Sequence, residues 1–141
     1  MDATREREIE WDCEKVLLRY MQALDDRKYE VLAGLFAEDG VWHRQGKELK
    51  GPAMILSTMK NRPLKEVRRH AVTNCLVSIE SDDRATARSY MTVWAGDADA
   101  LGTRPVTIKA PFRVGVATTR FVRRNNRWQI AEHSFEQDFA F

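Results

Sequence analysis

Two residues in this sequence have the types and directions that could do chemistry: Asp25 and His70. In "MQALDDRKY" two acids close a helical stretch. Residues four apart share a helix face, so Asp25 continues Leu17 and Met21 inward, while Asp26 continues Gln22 toward water. A carboxylate near a helix C-terminus meets the negative end of the dipole, and an inward one needs a partner. "RRHAVTNCLV", residues 68–77, offers that partner. It reads as a strand in which His70, Val72 and Asn74 share one face, and Ala71, Thr73, Cys75 and Val77 the other. If Asp25 and His70 meet, the carboxylate accepts a hydrogen bond from one ring nitrogen and fixes the tautomer. The other nitrogen is then a general base for a carbon-bound proton beside a leaving group or a carbonyl. The result is loss of water or halide, or an isomerisation, with no metal or organic cofactor. Plainer roles compete. Either aspartate can cap the next helix, Asp26 more naturally, and a lone strand histidine can be a satisfied core group.

Around that pair, Tyr20 and Leu24 on the first helix, Trp42 on a short strand, Asn74 beside His70 and Met91 on the next strand are the candidates for binding a substrate. Asn74 could hold a substrate oxygen, and Met91 could add an apolar wall. Aromatic residues and methionine are also ordinary core residues, so each has a packing role as its alternative. Phe135, Phe139 and Phe141 could cap a pocket mouth or lock a dimer. His43 and His133 have no ligand spacing, and no metal site is expected. No nucleophile elbow, phosphate loop or dinucleotide fingerprint is present.

The elements that must place these residues follow from periodicity. Ile9, Cys13, Val16, Leu17, Tyr20, Met21 and Leu24 recur at helical steps. Tyr29, Leu32, Ala33 and Phe36 mark a second helix ending at Asp39-Gly40, and "VWHRQG" a short strand. Lys50-Gly51-Pro52 opens a third helix, with proline in its first turn, and Asn61-Arg62-Pro63 stops it. The remainder is strand-like: 67–80, 84–95, a loop over 96–104, 106–123 with Pro111 as a bulge or edge, and 127–139. Asn125-Asn126 suits a two-residue hairpin turn. Helices first and strands later predict an α+β fold, with helices packed on one face of a curved, mainly antiparallel sheet.

Composition bounds the partners. The 141 residues suit a single domain spanning 1–141, with 43% hydrophobic and 31% charged residues. A net charge of +2 is too small to argue for nucleic acid. The arginines at 120, 123, 124 and 127 fit a solvated hairpin turn. No apolar run reaches the ~20 residues of a membrane span. Cys13 and Cys75 stand alone in apolar patterns, as buried free thiols of a reducing compartment do. With a charged N-terminus unlike a signal peptide, the expectation is a cytoplasmic protein acting on a small molecule.

The stretch 16–42, "VLLRYMQALDDRKYEVLAGLFAEDGVW", resembles the opening helix pair of SnoaL-like proteins in the nuclear transport factor 2-like superfamily. "LKGPAMIL" resembles their third-helix start, "RRHAVTNCLVSIESDDRATARSYMTVW" their first long hairpin, and "RRNNRWQIAEHSF" their last turn and strand. The resemblance implies a cone: three helices laid into a strongly curved sheet, enclosing a deep pocket. Among the family's enzymes, scytalone dehydratase and hexachlorocyclohexane dehydrochlorinase use an Asp from the end of helix 1 and a His from the first long strand. Asp25 and His70 fall at those positions. Leu24 stands where scytalone dehydratase has a tyrosine, and "RATARSYMTVWA" lacks its second histidine, which argues against scytalone as substrate. The resemblance also implies a homo-oligomer, dimer or trimer, joined through the open sheet face. The same hairpin is similar to the small subunit of aromatic-ring-hydroxylating dioxygenases, which implies a structural role as the alternative.

Overall fold

Asp2 starts the first helix: its side chain accepts the Arg5 backbone N–H at 2.8 Å, and α1 runs Ala3–Asp25. The computed structural model describes all 141 residues. The predicted apolar stripe of α1, Ile9 to Leu24, is buried along its length. Each Leu, Ile or Met so buried contributes roughly 1.5–3 kcal/mol of transfer free energy. Arg27 follows at φ 60, and one of its terminal nitrogens donates to the carbonyls of Pro63 at 2.7 Å and Glu66 at 2.6 Å. That guanidinium pins the end of α1 to the start of the long strand that carries His70.

The other elements are α2 Tyr29–Gly34, β1 Phe36–Arg44, β2 Lys47–Lys50, α3 Gly51–Met59, β3 Glu66–Ser81, β4 Arg84–Asp97, β5 Arg113–Arg124 and β6 Arg127–Phe139. One six-stranded sheet runs in the order β2-β1-β6-β5-β4-β3. All neighbours are antiparallel except β1 and β6, which are parallel, so the sheet is mixed. The helices lie against its inner face, and the core is drawn from α1, α2, α3 and the inward residues of β1, β2, β4, β5 and β6. No helix is long and apolar enough to cross a membrane.

Four sequence expectations change. Asp26 caps nothing ahead of it: it closes α1 itself, and Lys28 precedes α2 without a side-chain cap. The second helix ends at Gly34, because Phe36 already opens β1 by pairing with Ile130, and a register shift covers the stretch to Val41. β2 is a strand that sequence periodicity does not mark, since Leu49 is its one buried residue, as suits a short charged edge strand. β5 begins at Arg113, so Pro111 lies in the preceding loop and interrupts no strand. The hairpin turn stands: Asn125 and Asn126 have φ 53 and 60, which asparagine accepts more readily than most residues.

A β-bulge in β3 matters most for the site. The pairing of β3 with β4 shifts between Thr73 and Leu76, and Asn74 sits there exposed at φ 50. Before the bulge Arg68, His70 and Val72 face inward; after it Cys75, Val77 and Ile79 do. The uninterrupted alternation read from sequence therefore holds only for the first half of the strand. The bulge lets one strand present polar residues inward at one end and apolar residues at the other.

Candidate active site

Asp25 ends α1 with its carboxylate aimed at β3. It takes two hydrogen bonds from one residue: Oδ2 accepts the His70 backbone N–H at 2.8 Å, and Oδ1 lies 2.5 Å from His70 Nδ1. The side chains are only 8% and 10% exposed, so the pair is largely out of water and strengthened by it. These donors offset the unfavourable end of the helix dipole, and they fix the carboxylate against His70 by two points, one of them on the ring. A carboxylate can only accept, which places a proton on Nδ1 and leaves the Nε2 lone pair without a protein partner.

His70 lines a cavity of about 260 Å³. Tyr20, Met21 and Leu24 of α1 form one wall, Trp42 of β1 another, and Met91, Val93 and Phe135 the apolar face of the sheet. Tyr20, Leu24, Trp42 and Met91, named from the sequence as candidates for binding a substrate, all line this cavity. Asn74 is not, because the bulge turns it outward to solvent. Of the C-terminal phenylalanines, only Phe135 reaches the cavity, while Phe139 and Phe141 are exposed.

His133 forms part of the cavity floor, a place the sequence reading did not give it. It is fully buried, its Nδ1 lies 2.9 Å from the Thr119 hydroxyl, and the Tyr20 ring stands edge-on to it at 4.8 Å. Burial, then the neighbouring His70 and His43, pushes its pKa down to about 3, so it is neutral. Burial likewise pushes the Tyr20 phenol well above its ordinary range. The usable signal was cross-strand: His133 sits opposite Trp42 on β1 and Thr119 on β5, but neither pairing is visible without the register.

Four arginines that no sequence pattern groups together also line the cavity. Arg44, Arg62, Arg68 and Arg113 come from β1, the turn after α3, β3 and β5, with no aspartate or glutamate in the lining. They are far apart in sequence and gather only when the sheet curves. Burial, then repulsion from Arg62 and Arg68, lowers the Arg44 pKa. Cys13 and Cys75 are free and outside the cavity, and burial raises both thiols, Cys13 to about 12, which makes them poor nucleophiles. No three His, Cys, Asp or Glu side chains converge so as to hold a metal ion.

A curved sheet closed over three helices, with a cavity between them, is the nuclear transport factor 2-like, cystatin-like architecture. The chain belongs to the SnoaL-like domain family, whose sequence profile matches residues 5–134. It is similar to a hexachlorocyclohexane dehydrochlorinase of Novosphingobium barchaimii, at 16% identity and TM-score 0.81 over 98% of this chain and 92% of that one. It is similar to a Mycobacterium tuberculosis protein of unknown function, at 23% identity and TM-score 0.76 over 92% of this chain and 76% of that one. It is also similar to a Catenulispora acidiphila protein in complex with S-DNPA, at 24% identity and TM-score 0.71 over 90% and 91% of the two chains. At these identities the likeness is one of fold. No match to the chain was found among curated proteins.

Proposed function

We propose that the protein is a cofactor-independent lyase or isomerase in which Asp25 and His70 abstract a carbon-bound proton from a small cyclic or aromatic substrate. One observation carries the reading: Nδ1 of His70 is held by a carboxylate while Nε2 has no protein partner in a residue that lines an open cavity. In the proposed step the substrate C–H breaks and its proton passes to Nε2. The electron pair forms a new double bond, and the leaving group departs with its own pair, or, in an isomerisation, the proton returns at another carbon. Asp25 stabilises the imidazolium that forms. The open space beside His70 supports catalysis over a purely structural subunit. So do the dehydrochlorinase fold relative and the one solved in complex with S-DNPA, which suggest chemistry on small molecules.

The test starts from a panel of cyclic alcohols, ketones and halides screened by thermal shift. Solvent-deuterium exchange or elimination at the acidic carbon of each hit is then followed by NMR. His70→Gln should keep the melting temperature and lower the rate about 10²–10⁴-fold. Equal rates in the two proteins would sink the proposal.

A further inference from the structure

The cavity holds more positive charge than its surroundings neutralise. Arg62 is spoken for: it is 6% exposed, donates to the Leu24 carbonyl at 3.2 Å and the Tyr29 hydroxyl at 3.3 Å, and lies 3.5 Å from Glu66. Arg68 shares that one carboxylate: its buried Nε lies 3.5 Å from the same Glu66 oxygen without forming a hydrogen bond, and its two terminal nitrogens make no ion pair or hydrogen bond. Arg44 and Arg113 make no ion pair through their guanidiniums; they lie over rings instead, Trp42 at 5.7 Å and Phe112 at 4.8 Å. Phe112 also carries Arg68 at 5.1 Å, so one ring is in contact with both Arg68 and Arg113. Asp25 is taken by His70, and Glu132 lies against His43 at 3.4 Å, so neither relieves the excess.

Guanidinium stays ionised at any working pH, so these charges cannot be removed by losing protons. Gathering like charges in a half-closed cavity is costly unless something of opposite sign enters. The free donor forks match planar oxyanions, while Met91, Val93 and Phe135 offer an apolar wall for the rest of a ligand. We propose that the ligand of this cavity is an organic carboxylate, its carboxylate held by Arg44, Arg68 and Arg113 and its apolar body lying beside His70. This rests on the Asp25–His70 reading only for where the reacting carbon lies; the anion site stands on the arginines.

The experiment measures binding of benzoate, its uncharged counterpart benzamide and inorganic phosphate by titration calorimetry at low and moderate salt. Benzoate should bind at least about tenfold more tightly than benzamide, since a charge-assisted hydrogen bond is worth at least that factor. It should also bind more tightly than phosphate, weaken with salt and weaken about tenfold or more in Arg113→Gln and in Arg44→Gln. The Lys variants guard against misfolding, because they keep the charge and should recover part of the affinity. His70→Gln should still bind benzoate, which separates the two proposals. Benzoate and benzamide binding alike, phosphate binding in preference, or no binding by benzoate overturns the carboxylate. None of these outcomes touches proton abstraction from an uncharged substrate by His70.

Discussion

His70 and His133 face the same cavity from the same side of one sheet, yet their surroundings give them opposite characters. His70 stands on the edge strand β3, with a carboxylate on one nitrogen and nothing on the other. His133 stands on the interior strand β6, wholly buried, with a neutral hydroxyl as partner and two other histidines adding to its reluctance to charge. The lesson is that a pocket histidine's role is set by its second nitrogen and by what can compensate the imidazolium. At His70, Asp25 can compensate it. At His133 nothing does, and the ring is an uncharged packing and hydrogen-bonding group beneath Tyr20.

The largest effect should come from making His70 resemble His133. Asp25→Asn keeps the size of the side chain and can still accept the His70 backbone N–H. Its amide, however, presents N–H to Nδ1, which moves the ring proton to Nε2 and removes the lone pair that takes the substrate proton. The expected loss is roughly 10²–10⁴-fold in turnover, with near-UV circular dichroism unchanged. A variant retaining more than half its activity would mean that Asp25 only anchors the strand.

A smaller but measurable effect should come from His133 in the opposite direction, on stability. An unfolded histidine titrates near 6.5, whereas this one is held at about 3 in the folded chain. Between those values the unfolded chain binds a proton that the folded chain refuses. Its contribution is therefore fully present above the unfolded value and is lost as pH falls through the window from 6.5 toward 3, at about 1.4 kcal/mol per pH unit. Urea unfolding at pH 7, 5.5 and 4.5 should show the wild type losing stability faster than His133→Asn. A constant difference between the two at all three values would remove the contrast with His70.

How much of this was legible beforehand depends on how far each inference had to reach. Asp25 could be aimed from sequence because one unbroken helix, Ala3–Asp25, carries a single period from Ile9 to its end. His70 could be aimed because it lies in the part of β3 before the bulge. The helices, the order of the main strands and the α+β class follow from the same local patterns. His133 and the arginines could not be placed, since their meeting depends on β6 pairing parallel to β1 and on the curvature of the whole sheet. β2 was invisible for a local reason: an exposed edge strand, Lys47–Lys50, needs almost no apolar residues.

Asn74 is the point where a local rule failed outright, and it gives the smallest effect and the sharpest check on the boundary of the site. Read by alternation it joins His70 in the pocket; in the fold it occupies the left-handed region at φ 50, exposed, where the strand changes faces. Residues with a Cβ reach that region at a cost, asparagine less than most, and glycine not at all. Asn74→Ala should therefore lower stability by about 1 kcal/mol, and Asn74→Gly should lie at or near wild type. Neither should change turnover or KM, because the side chain is outside the cavity. If Asn74→Ala kept its stability but raised KM several-fold, the side chain would be a substrate ligand after all. β3 would then have to pair with β4 without the bulge, and Cys75, Val77 and Ile79, which now pack against the core, would face the other way.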